Sequence, residues 1–227
     1  MIKKLIKHSL ASYYSTFNLP VIVNSYGRSG STVLMRSIVK CANEANNKKI
    51  QELAFKSVSQ TAWDLNGKQL RNGIVYKTHD YPPDETFNNE VKMLYTFADP
   101  VDVVLSLLRL YDERGEEWMK QHYDHLKVPY TNFENIIEED QLELENHLNT
   151  WLDEDRIPIA FIKYEAMWEH QDEISDCLGF KIELPTYRKR KAKSKGDDEL
   201  LSKLEHTYSY LRKKIEKING FFIHNGF

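Results

Sequence analysis

Cysteine is nearly absent from this chain: there are two, Cys41 and Cys177, far apart in the sequence. Two distant thiols make neither a disulfide framework nor a cysteine-rich metal site, and they fit a reduced, cytoplasmic chain in which both are core residues. Excess charge of either sign is also missing. Lys and Arg number 31 against 34 Asp and Glu, a formal net charge of -3. Nothing therefore draws the whole molecule to nucleic acid or an anionic membrane, and an anion site must come from local clustering. No long apolar run occurs. The start, Met1-Ile2-Lys3-Lys4-Leu5-Ile6-Lys7-His8, is basic and mildly amphipathic, but no stretch suited to a signal sequence or membrane span follows it. Residues 1–18 read as an N-terminal arm ahead of a single domain over 19–227, with no internal repeat or low-complexity linker.

What is present suits one continuous core: 227 residues, 41% hydrophobic and 29% charged. Four short apolar runs, Pro20 to Asn24, Gly73 to Tyr76, Val91 to Phe97 and Ile157 to Tyr164, have the β-branched and aromatic content of buried strands. Helical spacing lies between them, in Leu34, Ile38, Cys41 and Ala45, in Val104, Leu108 and Tyr111, and in Leu144, Leu148, Trp151 and Leu152. This alternation predicts an α/β, three-layer domain with a central, mostly parallel sheet flanked by helices and ligands at the carboxyl ends of its strands. Ile50 to Phe55 is a further candidate strand. The acidic stretch from Phe133 to Glu145 reads as a solvated loop and helix start. Leu201, Leu204, Tyr208, Leu211, Ile215 and Ile218 predict one long helix whose narrow apolar seam docks on the domain's own core, ahead of the alternative of a coiled-coil partner.

The turn after the first run carries the first chemical signal. A strand ending at Asn24 and a helix starting near Ser31 enclose Gly27 and Gly30, with Arg28 and Ser29 between them and Ser31 and Thr32 following. Unpaired amides at a helix start, small residues and a guanidinium together suit a phosphate. The spacing is not that of an ATP/GTP-binding loop, since two residues separate the glycines and no Lys follows. A nucleotide kinase-like phosphotransferase is disfavoured for that reason, and an ordinary strand-to-helix connection stays open for the turn alone.

Two more segments belong to the same strand rim. Tyr76-Lys77-Thr78-His79-Asp80 ends the second run and offers a histidine able to act as a general base beside a lysine. Ala98-Asp99-Pro100-Val101-Asp102 ends the third and opens a helix that carries Ser106. In this order the pieces resemble the sulfotransferases that use 3'-phosphoadenosine 5'-phosphosulfate, which have a P-loop NTPase-like fold. Those enzymes follow a phosphosulfate loop with Lys-Thr-His and then Arg-x-Pro-x-Asp-x-x-x-Ser. Phe161-Ile162-Lys163-Tyr164-Glu165 is similar to a later segment of the same family.

The resemblance implies that Gly27, Arg28, Ser29, Gly30, Ser31 and Thr32 hold the 5'-phosphosulfate and that Ser106 binds the 3'-phosphate. It casts His79 as catalytic base, with Lys77 and Arg28 stabilising the leaving group, the nucleotide as co-substrate and no metal required. Its acceptor would be a small molecule or glycan, with neither nucleic acid nor membrane as partner. One departure weakens the match: Ala98 stands where the family has Arg. Losing a hydrogen bond to a charged group costs about 1.5–3 kcal/mol, or about ten- to a hundredfold in affinity. The run Arg188-Lys189-Arg190-Lys191 through Lys195 resembles a late basic loop of the family and is the expected compensation, with Arg188 and Arg190 best suited to forked phosphate contacts. By itself such a run also fits solvated surface or nonspecific nucleic-acid binding. Ala98 keeps open a second reading, a catalytically impaired nucleotide-binding relative with a regulatory or scaffolding role. His122 and His125 lack a third metal ligand in the sequence, and the tryptophans read as packing, one of them able to line an acceptor pocket.

Overall fold

A computed structural model describes residues 19–44, 59–85, 87, 90–187 and 198–225. The first strand, β1 (Val21–Ser25), is buried along its whole length, as a strand covered on both faces must be. It leads through a turn into α1 (Ser31–Glu44). Then come β2 (Ser59–Thr61), β3 (Val75–Lys77) and β4 (Lys92–Phe97). They form one six-stranded sheet with β5 (Ile159–Lys163) and β6 (Phe221–His224), in the order β2-β3-β1-β4-β5-β6. All neighbours run parallel except β5 and β6. The expected α/β domain, a mostly parallel sheet flanked by helices, is therefore present.

The connection after β4 is built by its caps. Asp99 accepts the N–H of Val101 with its side chain, and Pro100, whose missing donor costs nothing at a first helical position, opens α2 (Pro100–Arg114). Gly115, at φ 78°, closes α2 and leads directly into α3 (Glu116–Leu126), which has Glu116 and Glu117 at its positive end. A short 3₁₀ turn covers Phe133–Ile137, within the acidic stretch. Next is α4 (Leu144–Leu152), which buries Leu144, Leu148 and Trp151. After β5 come a 3₁₀ turn at Tyr164–Ala166 and α5 (Gln171–Leu178), ended by left-handed Gly179.

The long helix expected from residue 201 onward is two: α6 (Asp198–Thr207) and α7 (Ser209–Lys217). The apolar seam survives, with Leu204, Tyr208, Leu211 and Ile215 buried. The interruption falls where consecutive side chains are anchored elsewhere. Thr207 donates its hydroxyl to the Ile137 carbonyl at 2.7 Å, and the Tyr208 hydroxyl reaches the carbonyls of Ile136 and Glu139 at 2.9 and 3.2 Å. Strands β2 and β6 had no counterpart among the apolar runs. The possible strand at Ile50 to Phe55, the N-terminal arm, Ala45, Arg188 and Arg190 lie outside the described residues. Among those described, no helix is long and apolar enough to cross a membrane.

Candidate functional site

The turn between β1 and α1 is shaped by positive φ at Gly27 (87°), Arg28 (51°) and Gly30 (92°). A side chain at Gly30 is sterically excluded: a Cβ there would lie 2.3 Å from the Tyr164 ring. The first helical bond runs from the Leu34 N–H to the Gly30 carbonyl, so the amides of Ser31, Thr32 and Val33 precede the ladder of α1. Two side chains fix the turn from below. Tyr26 is fully buried, and its hydroxyl bonds both backbone groups of Ala98, accepting the N–H at 2.7 Å and donating to the carbonyl. Ser29 donates its hydroxyl to the Thr96 carbonyl at 2.8 Å.

On the other side of β1, the parallel pairing of Val23 with Lys77 brings the end of β3 level with this turn. His79 Nδ1 lies 2.7 Å from the Ser25 carbonyl and 3.0 Å from Ser25 Oγ, and its Nε2 lies 3.0 Å from Lys77 Nζ. A carbonyl can only accept and an ammonium only donate, so these partners assign the proton to Nδ1 and the lone pair to Nε2. Burial, then the Lys77 charge, holds the His79 imidazole well below its usual range. Burial, with the Arg28 charge, pushes Lys77 down to about 8.

The segment after His79 is held by buried polar contacts. The Asp80 carboxylate takes the Leu65 and Tyr81 amides and pairs with Lys127 at 2.7 Å. The Asp80 carbonyl accepts from Asn24 and from the Trp151 indole, both at 2.9 Å. His147 Nε2 lies 3.1 Å from the His79 carbonyl, and its Nδ1 lies 2.8 Å from the Tyr95 hydroxyl.

These pieces face one cavity of about 820 Å³. Arg28, Gly30, Ser31, Thr32, Lys77, His79 and Ser106, all expected site residues, line it. Arg28 Nε donates to Ser106 Oγ at 3.0 Å, joining the turn to α2. Gly27 and Ser29 do not line it. His122 packs where a Gly27 side chain would be, and the Ser29 hydroxyl is turned toward β4. The Ser31 hydroxyl, although at the wall, accepts from Ser25 Oγ at 3.0 Å.

Other wall residues are supplied by Trp63, by Arg109 on α2 and by one face of α3, where Trp118, His122 and His125 follow at helical spacing. Their rings pack face to face in pairs. Trp118 and His122 stack with centroids 5.5 Å apart, Trp63 and His125 at 3.8 Å, and His122 meets His79 edge-on at 6.0 Å. Burial and the Arg28 charge drive His122 down to about 3, so its ring is neutral at physiological pH. Its Nε2 is buried without a hydrogen-bond partner. Among the described residues no three His, Cys, Asp or Glu side chains group as a metal site. The sequence allows one tryptophan to line an acceptor pocket and offers His122 and His125 only as incomplete metal ligands; in the structure Trp63, Trp118 and both histidines are wall residues.

A scan of protein-family models finds no match to this chain, and a search of curated proteins finds none either.

Proposed function

We propose that the chain transfers a sulfuryl group from 3'-phosphoadenosine 5'-phosphosulfate to a hydroxyl or amine of a small-molecule or glycan acceptor. The reading is carried by one juxtaposition: Lys77 and His79 share a cavity with Arg28, the first residues of α1 and Ser106. The residues present fit such a nucleotide. The cavity volume of about 820 Å³ lies in the usual range for small-molecule sites. Helix-start amides and two cations meet at the end suited to a phosphosulfate.

The reaction forms a bond from the acceptor oxygen or nitrogen to sulfur and breaks the bond from sulfur to the oxygen bridging it to the 5'-phosphate. His79 takes the acceptor proton on Nε2, because Nδ1–H is committed to the Ser25 carbonyl, once the Lys77 ammonium that bonds Nε2 has turned to the departing phosphate. Burial keeps that imidazole unprotonated. Lys77 and Arg28 neutralise the charge that gathers on the departing phosphate, in a partly buried site where fixed charges act strongly. Alignment and electrostatics carry the barrier reduction, without a covalent enzyme intermediate.

The test is transfer of labelled sulfate from the donor to a broad acceptor panel, with calorimetry of the desulfonated product, 3',5'-ADP. The expected outcome is transfer by the native chain, with His79→Ala about a hundredfold or more slower and 3',5'-ADP affinity retained. An undiminished rate in His79→Ala removes His79 from this role. A second reading has a specific observation behind it. Ala98 offers no side-chain cation and both its backbone groups are bonded to Tyr26, which suits a nucleotide-binding relative that regulates or scaffolds a partner. Tight 3',5'-ADP binding with no transfer to any acceptor favours that reading.

A further inference from the structure

We propose that Arg109 holds the second anionic group of the cavity's ligand and makes the site selective for a nucleotide carrying two separated phosphates. This rests on the donor reading above. Three Lys or Arg residues line the cavity among the described residues: Arg28, Lys77 and Arg109. The first two belong to one cluster, since Arg28 is near enough to depress Lys77. Arg109 stands apart from them, on α2.

Ser106, whose hydroxyl accepts from Arg28, marks where the turn meets α2. Arg109 follows three residues later, about 4.5 Å further along the axis on the same face. The carboxylates of Asp102 and Asp112 also line the cavity, roughly a turn before Ser106 and a turn beyond Arg109. Acidic residues at those two positions disfavour an anion on the rest of that face. The guanidinium is easily redirected. Its ion pair with Glu113 is long, 3.7 Å, with both side chains more than half exposed, and such pairs contribute little.

Two other nearby cations are committed. Arg212 donates to Asp99 at 2.8 Å and to Glu205 at 3.2 Å. Lys127 is held by the buried Asp80 at 2.7 Å. Position 98, next to the N-cap of α2, has no charge to offer. A guanidinium one turn beyond a serine provides the forked donor geometry that phosphate favours.

The experiment is calorimetry of the full chain with 3',5'-ADP and with 5'-AMP, which differ by one phosphate. The native chain should prefer 3',5'-ADP. Arg109→Ala should lower 3',5'-ADP affinity by about ten- to a hundredfold, leave 5'-AMP affinity unchanged, and be partly rescued by Arg109→Lys. An unchanged preference in Arg109→Ala overturns the proposal, as does an equal loss for both nucleotides. So does loss of the preference in Arg188→Ala/Arg190→Ala while Arg109→Ala keeps it. A native chain that binds neither nucleotide, or both equally, overturns the donor reading itself and this proposal with it.

Discussion

Lys77 and His79 share a hydrogen bond, and the reaction proposed above needs them in opposite protonation states. His79 must be neutral to accept a proton, and burial already lowers its pKa, so the acid limb of kcat/KM should lie below the usual histidine value near 6.5. Lys77 must stay charged, and its pKa is pushed down to about 8. The rate should therefore fall as pH rises through about 8. Lys77→Arg keeps its charge to far higher pH, so a pH profile of that variant should lose the alkaline limb and retain the acid one. An alkaline limb that stays in place would assign it to another group. At this scale the sequence was informative where a residue sits at or just after a strand end, as Arg28, Lys77 and His79 do, and at Ser106, which a motif placed on the helix after the third run. It was silent on Arg109, and it offered Trp63 only as one of several tryptophans able to line a pocket, because the packing that brings a side chain to a cavity is not written in the local sequence. It also could not reveal that the Ser29 hydroxyl turns inward to Thr96, because a linear motif does not give a side chain's direction.

Among the elements, α6 and α7 show how a correct period can conceal a break. The spacing from Leu204 to Ile215 marks a buried seam, and that seam exists. Tyr208, one of its members, is also tied to the carbonyls of Ile136 and Glu139, a contact made across about seventy residues that no local pattern announces. Tyr208→Phe leaves the buried Ile136 carbonyl without its hydroxyl donor. It should cost about 1–2 kcal/mol, read as a lower urea midpoint with an unchanged m-value. No loss would mean that carbonyl is satisfied without it. Strand β2 is Ser-Gln-Thr, polar and three residues long, and is defined by pairing with β3 rather than by hydrophobicity. The four residues of β6 are too few for a period to emerge, and their antiparallel return is set by the position of β5.

At the scale of the molecule, strand–helix alternation was enough to predict a mostly parallel sheet, but not its order, since long-range packing chooses the neighbours of each strand. Ligand binding should stabilise the molecule as a whole. At about a hundredfold over Kd, a ligand that binds only the folded state adds about 2.7 kcal/mol, so 3',5'-ADP should raise the melting temperature by about 5–10 °C for a chain of this size. An unmoved melting temperature at millimolar 3',5'-ADP would count against the cavity as its site. The central place of β1 has a further consequence for how the chain is made. Its two neighbours, β3 and β4, are drawn from residues 75–77 and 92–97, so a ribosome delivers the turn between β1 and α1 before anything can clamp it. Until both flanking strands have emerged, nothing holds that turn in shape, so the nucleotide recognition proposed for it must wait for residues up to about 97 even though its own residues come near the start.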